Sequence, residues 1–109
     1  MNWIELTQEE TLTSINEKSF EKPQVIFKHS TRCSISSMVK SRLDRAVPAT
    51  GIDFYYLDLI AHRTISNKIA DAYSVVHESP QVLLIRNGEC IYEESHNGIT
   101  MDEIIQQLG

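Results

Sequence analysis

Apolar positions follow two rhythms along this chain. Gln24-Val25-Ile26-Phe27-Lys28 is a compact apolar run after Pro23 and predicts a first strand. From Ser34 to about Val47, apolar residues recur at three- and four-residue spacing. Ile35, Met38, Val39, Leu43 and Ala46 predict the inner side of a helix that Pro48 and Gly51 end. Ile52 to Leu57 predicts a second strand. Asp58 is a candidate cap for a helix from about Leu59 to Tyr73, with Ile60, Ile65, Ile69 and Ala72 facing inward. Ser79-Pro80 opens a third strand, Gln81 to Ile85, and Glu89 to Ser95 returns as a fourth. Between them, Asn87-Gly88 favours a tight hairpin turn, since both central residues tolerate positive φ. Thr7-Gln8-Glu9-Glu10 and Thr100-Met101-Asp102-Glu103 read as capping boxes. The first opens a short helix through Leu12 and Ile15 to about Lys18, the second a last helix to Leu108.

The predicted order is a helix followed by β-α-β-α-β-β-α, in a single domain over residues 1–109. Strand–helix alternation implies a parallel pair joined by a right-handed crossover, and the hairpin adds antiparallel strands. The expected architecture is α/β: a thioredoxin-like three-layer α/β/α plan with a four-stranded mixed sheet. In such a sheet the third strand runs opposite to the first. Its start at Ser79-Pro80 then lies beside the first strand's end, and the fourth strand brings Ser95, His96 and Gly98 back to that edge.

Composition narrows the function. At 109 residues the chain can bury one core without disulfides or a metal. Its net charge is −5, and no run of Lys and Arg exceeds two, so a nucleic-acid partner is not expected. No apolar run approaches the roughly 18 residues that cross a membrane. The start, Met1-Asn2-Trp3-Ile4-Glu5, has neither the basic nor the apolar region of a signal peptide. A cytoplasmic location without a membrane partner is expected. In a reducing compartment, two cysteines argue for one reactive thiol, or two buried ones, over a structural disulfide.

Cys33 is the centre of the candidate chemistry. It falls between the first strand and the helix after it, near unpaired backbone N–H groups and the positive end of the helix dipole. Both favour the thiolate, which is the nucleophile. Ser36 stands three residues on, where a dithiol motif has its resolving cysteine. It cannot form a disulfide, but its hydroxyl could donate a hydrogen bond to the Cys33 thiolate, or bond its own backbone. Ser79-Pro80 is expected to be cis, leaving neighbouring backbone free to bind an extended thiol adduct; a trans proline at a loop end is the alternative. Thr31 and Arg32 immediately precede the thiol as candidate substrate contacts, Arg32 as a handle for a carboxylate or as a solvated surface residue. His29 and His96 approach the same edge and could orient a substrate or only hold structure, while His62 and His77 look peripheral. Trp3 is expected to cover an edge of the core. No Cys/His spacing resembles a zinc site, so no metal is expected.

Cys90 follows the hairpin turn. Six strand residues at about 3.3 Å each put it roughly 20 Å from the Pro80 end, well beyond disulfide reach. It is expected to be a packed or surface cysteine.

Lys28-His29-Ser30-Thr31-x-Cys33-x-Ile35-Ser36, together with Ser79-Pro80-Gln81 and Ser95-His96-x-Gly98-Ile99-Thr100, resembles the monothiol bacilliredoxin family, also called YtxJ-like. The resemblance covers nearly the whole chain. It implies a thioredoxin fold and removal of bacillithiol, or a similar low-molecular-weight thiol, from protein mixed disulfides. It also implies Cys33 as nucleophile, Pro80 as the cis-proline, bacillithiol as co-substrate with no bound cofactor, and bacillithiolated client proteins as partners. The family usually has Thr-Cys-Pro-Ile-Ser; here Arg32 and Ser34 flank the cysteine. Losing that proline removes a preset φ at the first helical position.

Two other enzymatic readings fit less well. A monothiol glutaredoxin would carry Cys-Gly-Phe-Ser, whereas Ser34-Ile35-Ser36 follows the cysteine here. A phosphatase-type loop needs Cys-x5-Arg, and position 39 is Val39. The non-enzymatic alternative is a thioredoxin-like redox sensor or stress adaptor whose Cys33 only becomes modified.

Overall fold

The structure is a computed structural model that describes residues 2–46 and 50–108. Its elements are β1 (Ile4–Glu5), α1 (Glu10–Lys18), β2 (Gln24–His29), α2 (Ser34–Arg45), β3 (Asp53–Asp58), α3 (Arg63–Tyr73), β4 (Gln81–Arg86), β5 (Glu89–Ser95) and α4 (Met101–Gln106). A short 3-10 turn, His96–Gly98, joins β5 to α4.

The four expected strands form one sheet and a fifth joins them, in the order β1-β3-β2-β4-β5. β1 is only two residues long, pairing Ile4 with Tyr55 and Glu5 with Tyr56. No periodicity can announce so short a strand. β2 and β3 are parallel, joined by the α2 crossover, while β4 runs antiparallel to β2 and to its hairpin partner β5.

Alternation along β2 feeds two cores. Val25 and Phe27 face α2 and α4 with Val39, Leu43, Val82, Leu84, Met101 and Ile104. Ile26 faces α1 and α3 with Ile15, Leu57, Ile65, Ile69, Leu83 and Ile85. The hairpin turn takes the expected backbone, with Asn87 at φ 55° and Gly88 at φ 76°. It is tied to the end of α1, where Ser19 accepts from the N–H of Asn87 at its carbonyl (2.9 Å) and from that of Gly88 at its hydroxyl (2.8 Å).

Several boundaries differ from expectation. Thr7 does not cap α1: the chain stays extended through Leu6, whose N–H donates to Tyr56 O, and the helix starts at Glu10 without a side-chain cap. Thr100 does cap α4, accepting from the Glu103 N–H at 3.2 Å. α3 begins at Arg63 and not near Leu59, because Asp58 caps a separate turn by accepting from the N–H groups of Ile60 and Ala61. Ala72 is exposed, and Ile65, Ser66 and Ile69 form the inner stripe. On α2 that stripe is Ser36, Val39 and Leu43, with Ile35 and Met38 left exposed. The expected stop at Val47 and Pro48 lies outside the described residues. Trp3 covers a core edge, stacked on Phe27 with ring centroids 5.6 Å apart.

Candidate active site

Cys33 is the N-cap residue of α2, in extended backbone at φ −110°, ψ 122°. Its N–H turns back to Ser30 O at 3.2 Å, closing the turn before the helix, and its carbonyl accepts from the Ser37 N–H, the first bond of the helix. The sulfur is partly exposed and unbonded to any other cysteine. Thr31 and Arg32 form the exposed turn before it.

Register shows what shares this end of the sheet. Lys28, near the end of β2, pairs with Gln81 at the start of β4, and Gln81 pairs with Ser95 at the end of β5. The Ser79-Pro80 peptide bond is cis. Pro80 O accepts from the His96 N–H at 2.9 Å, joining two segments of the expected site directly. His96 adopts positive φ (59°), and its Nε2 lies 3.5 Å from a Glu78 carboxylate oxygen. Arg42, which belongs to no motif in the sequence, holds this segment from α2. Its Nη1 donates to Asn97 O (2.9 Å) and Ile99 O (2.8 Å). Sequence offers no signal for such a bond, because both acceptors are backbone groups. The Ser79 hydroxyl is buried and has no hydrogen-bond partner among the described residues.

Ser36 corrects the expectation placed on it. It is fully buried, its Oγ 2.7 Å from His29 Nδ1 and accepting from the Ser30 N–H at 3.0 Å. Those are its partners, not the Cys33 sulfur and not its own helix. The reason is geometric: the first inward turn of α2 aims Ser36 at the end of β2. The serine therefore ties the helix start to the turn that presents Cys33. His29 is buried between the Phe27 and Tyr56 rings, with centroids at 5.8 and 5.5 Å. Burial, then the nearby Lys40 charge, lowers its pKa, so the imidazole is held neutral. Removing the hydroxyl strands two buried groups. Ser36→Ala is expected to cost about 2 kcal/mol in denaturant unfolding; a variant as stable as the parent would show that the clamp carries no energy.

Cys90 stands at the other end of β5, pairing with Ile85 one step from the hairpin turn. Its thiol donates to Tyr92 O at 3.3 Å, and burial pushes its pKa up. Among the described residues, no three His, Cys, Asp or Glu side chains gather closely enough to hold a metal ion. No helix there is long and apolar enough to cross a membrane.

His77 is not peripheral. Its Nδ1 meets both the Lys28 ammonium (3.3 Å) and the Ser66 hydroxyl (3.1 Å). Lys28 itself is wholly buried among apolar residues of β2. A lysine inside an apolar strand run was the signal in the sequence, but its partners come from α3 and the loop after it.

Comparison with known proteins gives concordant results. A family profile described as "Monothiol bacilliredoxin BrxC" matches residues 4–104. A solved structure described as a candidate oxidoreductase with a thioredoxin fold is 28% identical, with a TM-score of 0.85, over 97% of this chain and 93% of its own. Thioredoxin of Malassezia sympodialis superposes with a TM-score of 0.79 at 16% identity, over 99% of this chain and 92% of its own. Thioredoxin of Trypanosoma brucei brucei gives 0.76 at 15%, over 98% and 88%.

Proposed function

The chain belongs to the monothiol bacilliredoxin family, thiol oxidoreductases of thioredoxin fold, and from that premise we propose that it removes bacillithiol from mixed disulfides of client proteins through Cys33. The Cys33 thiolate attacks the bacillithiol sulfur of the client disulfide. The S–S bond breaks, the client cysteine leaves as a thiolate and takes up a proton, and Cys33 is left joined to bacillithiol. A second bacillithiol thiolate then attacks the bacillithiol sulfur of that adduct. Cys33 is released and bacillithiol disulfide is the oxidised product. Each step exchanges one disulfide for another, so the client is reduced at the expense of one free bacillithiol, which leaves paired with the bacillithiol taken from the client.

The observation that carries this reading is the placing of the two thiols. Cys33 caps α2 at the edge where Pro80, Ser95 and His96 come together, while Cys90 sits at the hairpin end of β5. With Ser36 three residues after Cys33 and committed to His29 and Ser30, the chain offers no internal resolving thiol at that edge. An external thiol must reset it. In this reading Thr31, Arg32, Ser79, Pro80 and His96 contact the adduct, Ser79 and Pro80 through the backbone beside the cis bond. Ser36 acts as a positioning residue.

Turnover tests the function. Reduced protein is incubated with a bacillithiolated client and excess bacillithiol, and client thiols released per protein are counted. Many per protein are expected; release that stops at one would replace catalysis by a sensor or adaptor role. Cys90→Ser is expected to keep at least about half of the activity, since thiolate attack at Cys33 does not involve it. Full loss on that change alone would transfer the resolving step to Cys90.

A further inference from the structure

Lys28 presents a physical problem that the proposed chemistry does not explain. Its side chain is completely buried on the α1/α3 face of β2, one residue from the end of the strand. Among the described residues no carboxylate pairs with it. Its hydrogen-bond partners are Ser66 O on α3, at 3.2 Å, and His77 Nδ1, at 3.3 Å. A buried ammonium is costly unless hydrogen bonds offset its lost hydration, so the two partners it does have matter.

What it holds is the connection from α3 to β4. That connection leaves α3 at Ser74, which has positive φ (53°), and runs through His77 and Glu78 to Pro80. With Glu93, Ser95 and His96 of the neighbouring strand end it lines an open groove of about 460 Å³. Two side chains tie its middle to the sheet: Gln81 Nε2 donates to Val76 O at 3.1 Å, and Lys28 reaches His77. Both come from residues paired in the β2–β4 register.

We propose that Lys28 is a positioning residue for this groove, which His96 of the proposed adduct edge also lines, acting through His77 to fix the 74–80 connection that leads into Pro80. The chemistry of the pair suits the role. Burial lowers Lys28 to about 8, which leaves it mostly protonated at neutral pH and a charged donor. Burial, then the Lys28 and Arg63 charges, also lowers His77, keeping the imidazole neutral. Its Nδ1 is then the acceptor for the ammonium, with the Ser66 hydroxyl 3.1 Å from the same nitrogen, and its Nε2 carries the proton. A charge-assisted bond of this kind is stronger than one between neutral groups. Lys28 touches no reacting atom, so its effect should fall on binding and not on the chemical step.

The proposal rests on the proposed function only for its kinetic arm, and the test separates the two. Amide hydrogen exchange over residues 74–80 is measured at pH 7 in the parent, Lys28→Met, His77→Leu, His77→Asn and the Lys28→Met/His77→Leu double variant. Denaturant unfolding of each is measured alongside. Exchange in the segment is expected to rise about tenfold in Lys28→Met and in His77→Leu, and no further in the double variant. His77→Asn, which keeps an acceptor near the Nδ1 position, is expected to stay near the parent. In exchange with a bacillithiolated peptide, KM should rise by a similar factor while kcat holds. Parent-like amide exchange in Lys28→Met, or a double variant showing the product of the two single effects, overturns the positioning role. A parent protein that releases no peptide thiol overturns the proposed function instead, and the amide exchange still decides the role of Lys28.

Discussion

Cys33→Ser is expected to reduce release of client thiols to background, a loss of at least about 10³-fold. The chemistry leaves no partial outcome. A serine oxygen cannot join the chain of sulfur exchanges, because the intermediate is a disulfide and needs a sulfur on the protein. The fold should tolerate the change. Cys33 is half-exposed at an N-cap, where serine is a favoured residue, so far-UV circular dichroism and unfolding should stay close to the parent. The measurement is the release of client thiol from a bacillithiolated protein with excess bacillithiol. Release at the parent rate by the folded variant would remove Cys33 from the reaction and leave Cys90 as the remaining thiol.

The second large effect concerns stability and pH. Lys28 is lowered from its ordinary 10.5 to about 8 by burial. Between those values the unfolded chain holds a proton on Lys28 that the folded chain lacks. Raising pH through that window therefore favours the folded state, by about 3 kcal/mol in total for a shift of this size. Lys28→Met has no proton to lose there. Denaturant unfolding of the two proteins from pH 7 to 10.5 should show the parent gaining about 3 kcal/mol on the variant, nearly all of it above pH 8. Below pH 7 the difference should be flat. A constant difference across the whole range would mean that the buried ammonium keeps its ordinary affinity for protons.

These two residues also mark how much the sequence alone could disclose. Cys33 was legible because its surroundings are local: an apolar strand run on one side, helical spacing on the other, and a serine three residues later. The hairpin was legible for the same reason, since Asn87-Gly88 needs only its own backbone angles. Pro80 and His96 could be brought to the edge by counting strand directions, which needs topology but no contacts.

What stayed hidden depends on distant partners. Ile35 and Met38 fit a helical stripe as well as Val39 and Leu43 do. Only the docking of the first turn against His29 selects Ser36 for the inside instead. β1 exists because Tyr55 and Tyr56 offer it a parallel neighbour, not because Ile4-Glu5 has any strand pattern of its own. The Lys28–His77 contact joins residues far apart in the chain, and nothing local to either names the other. The Arg42 bonds to backbone carbonyls are invisible to any motif. Local chemistry was thus readable in advance, while the supports beneath it required the packed structure.

β5 has one more consequence, set by its place at the open side of the sheet. It is the outermost strand and seven residues long, so its unpaired N–H and C=O groups face outward. Such an edge is a template on which another copy could add itself. Glu89, Glu93 and Glu94 lie along it, and two such edges approaching each other would press carboxylates against carboxylates. Of these carboxylates Glu93 also lines the groove, so one side chain both borders that groove and adds to the repulsion that opposes growth, strand upon strand, into fibrils.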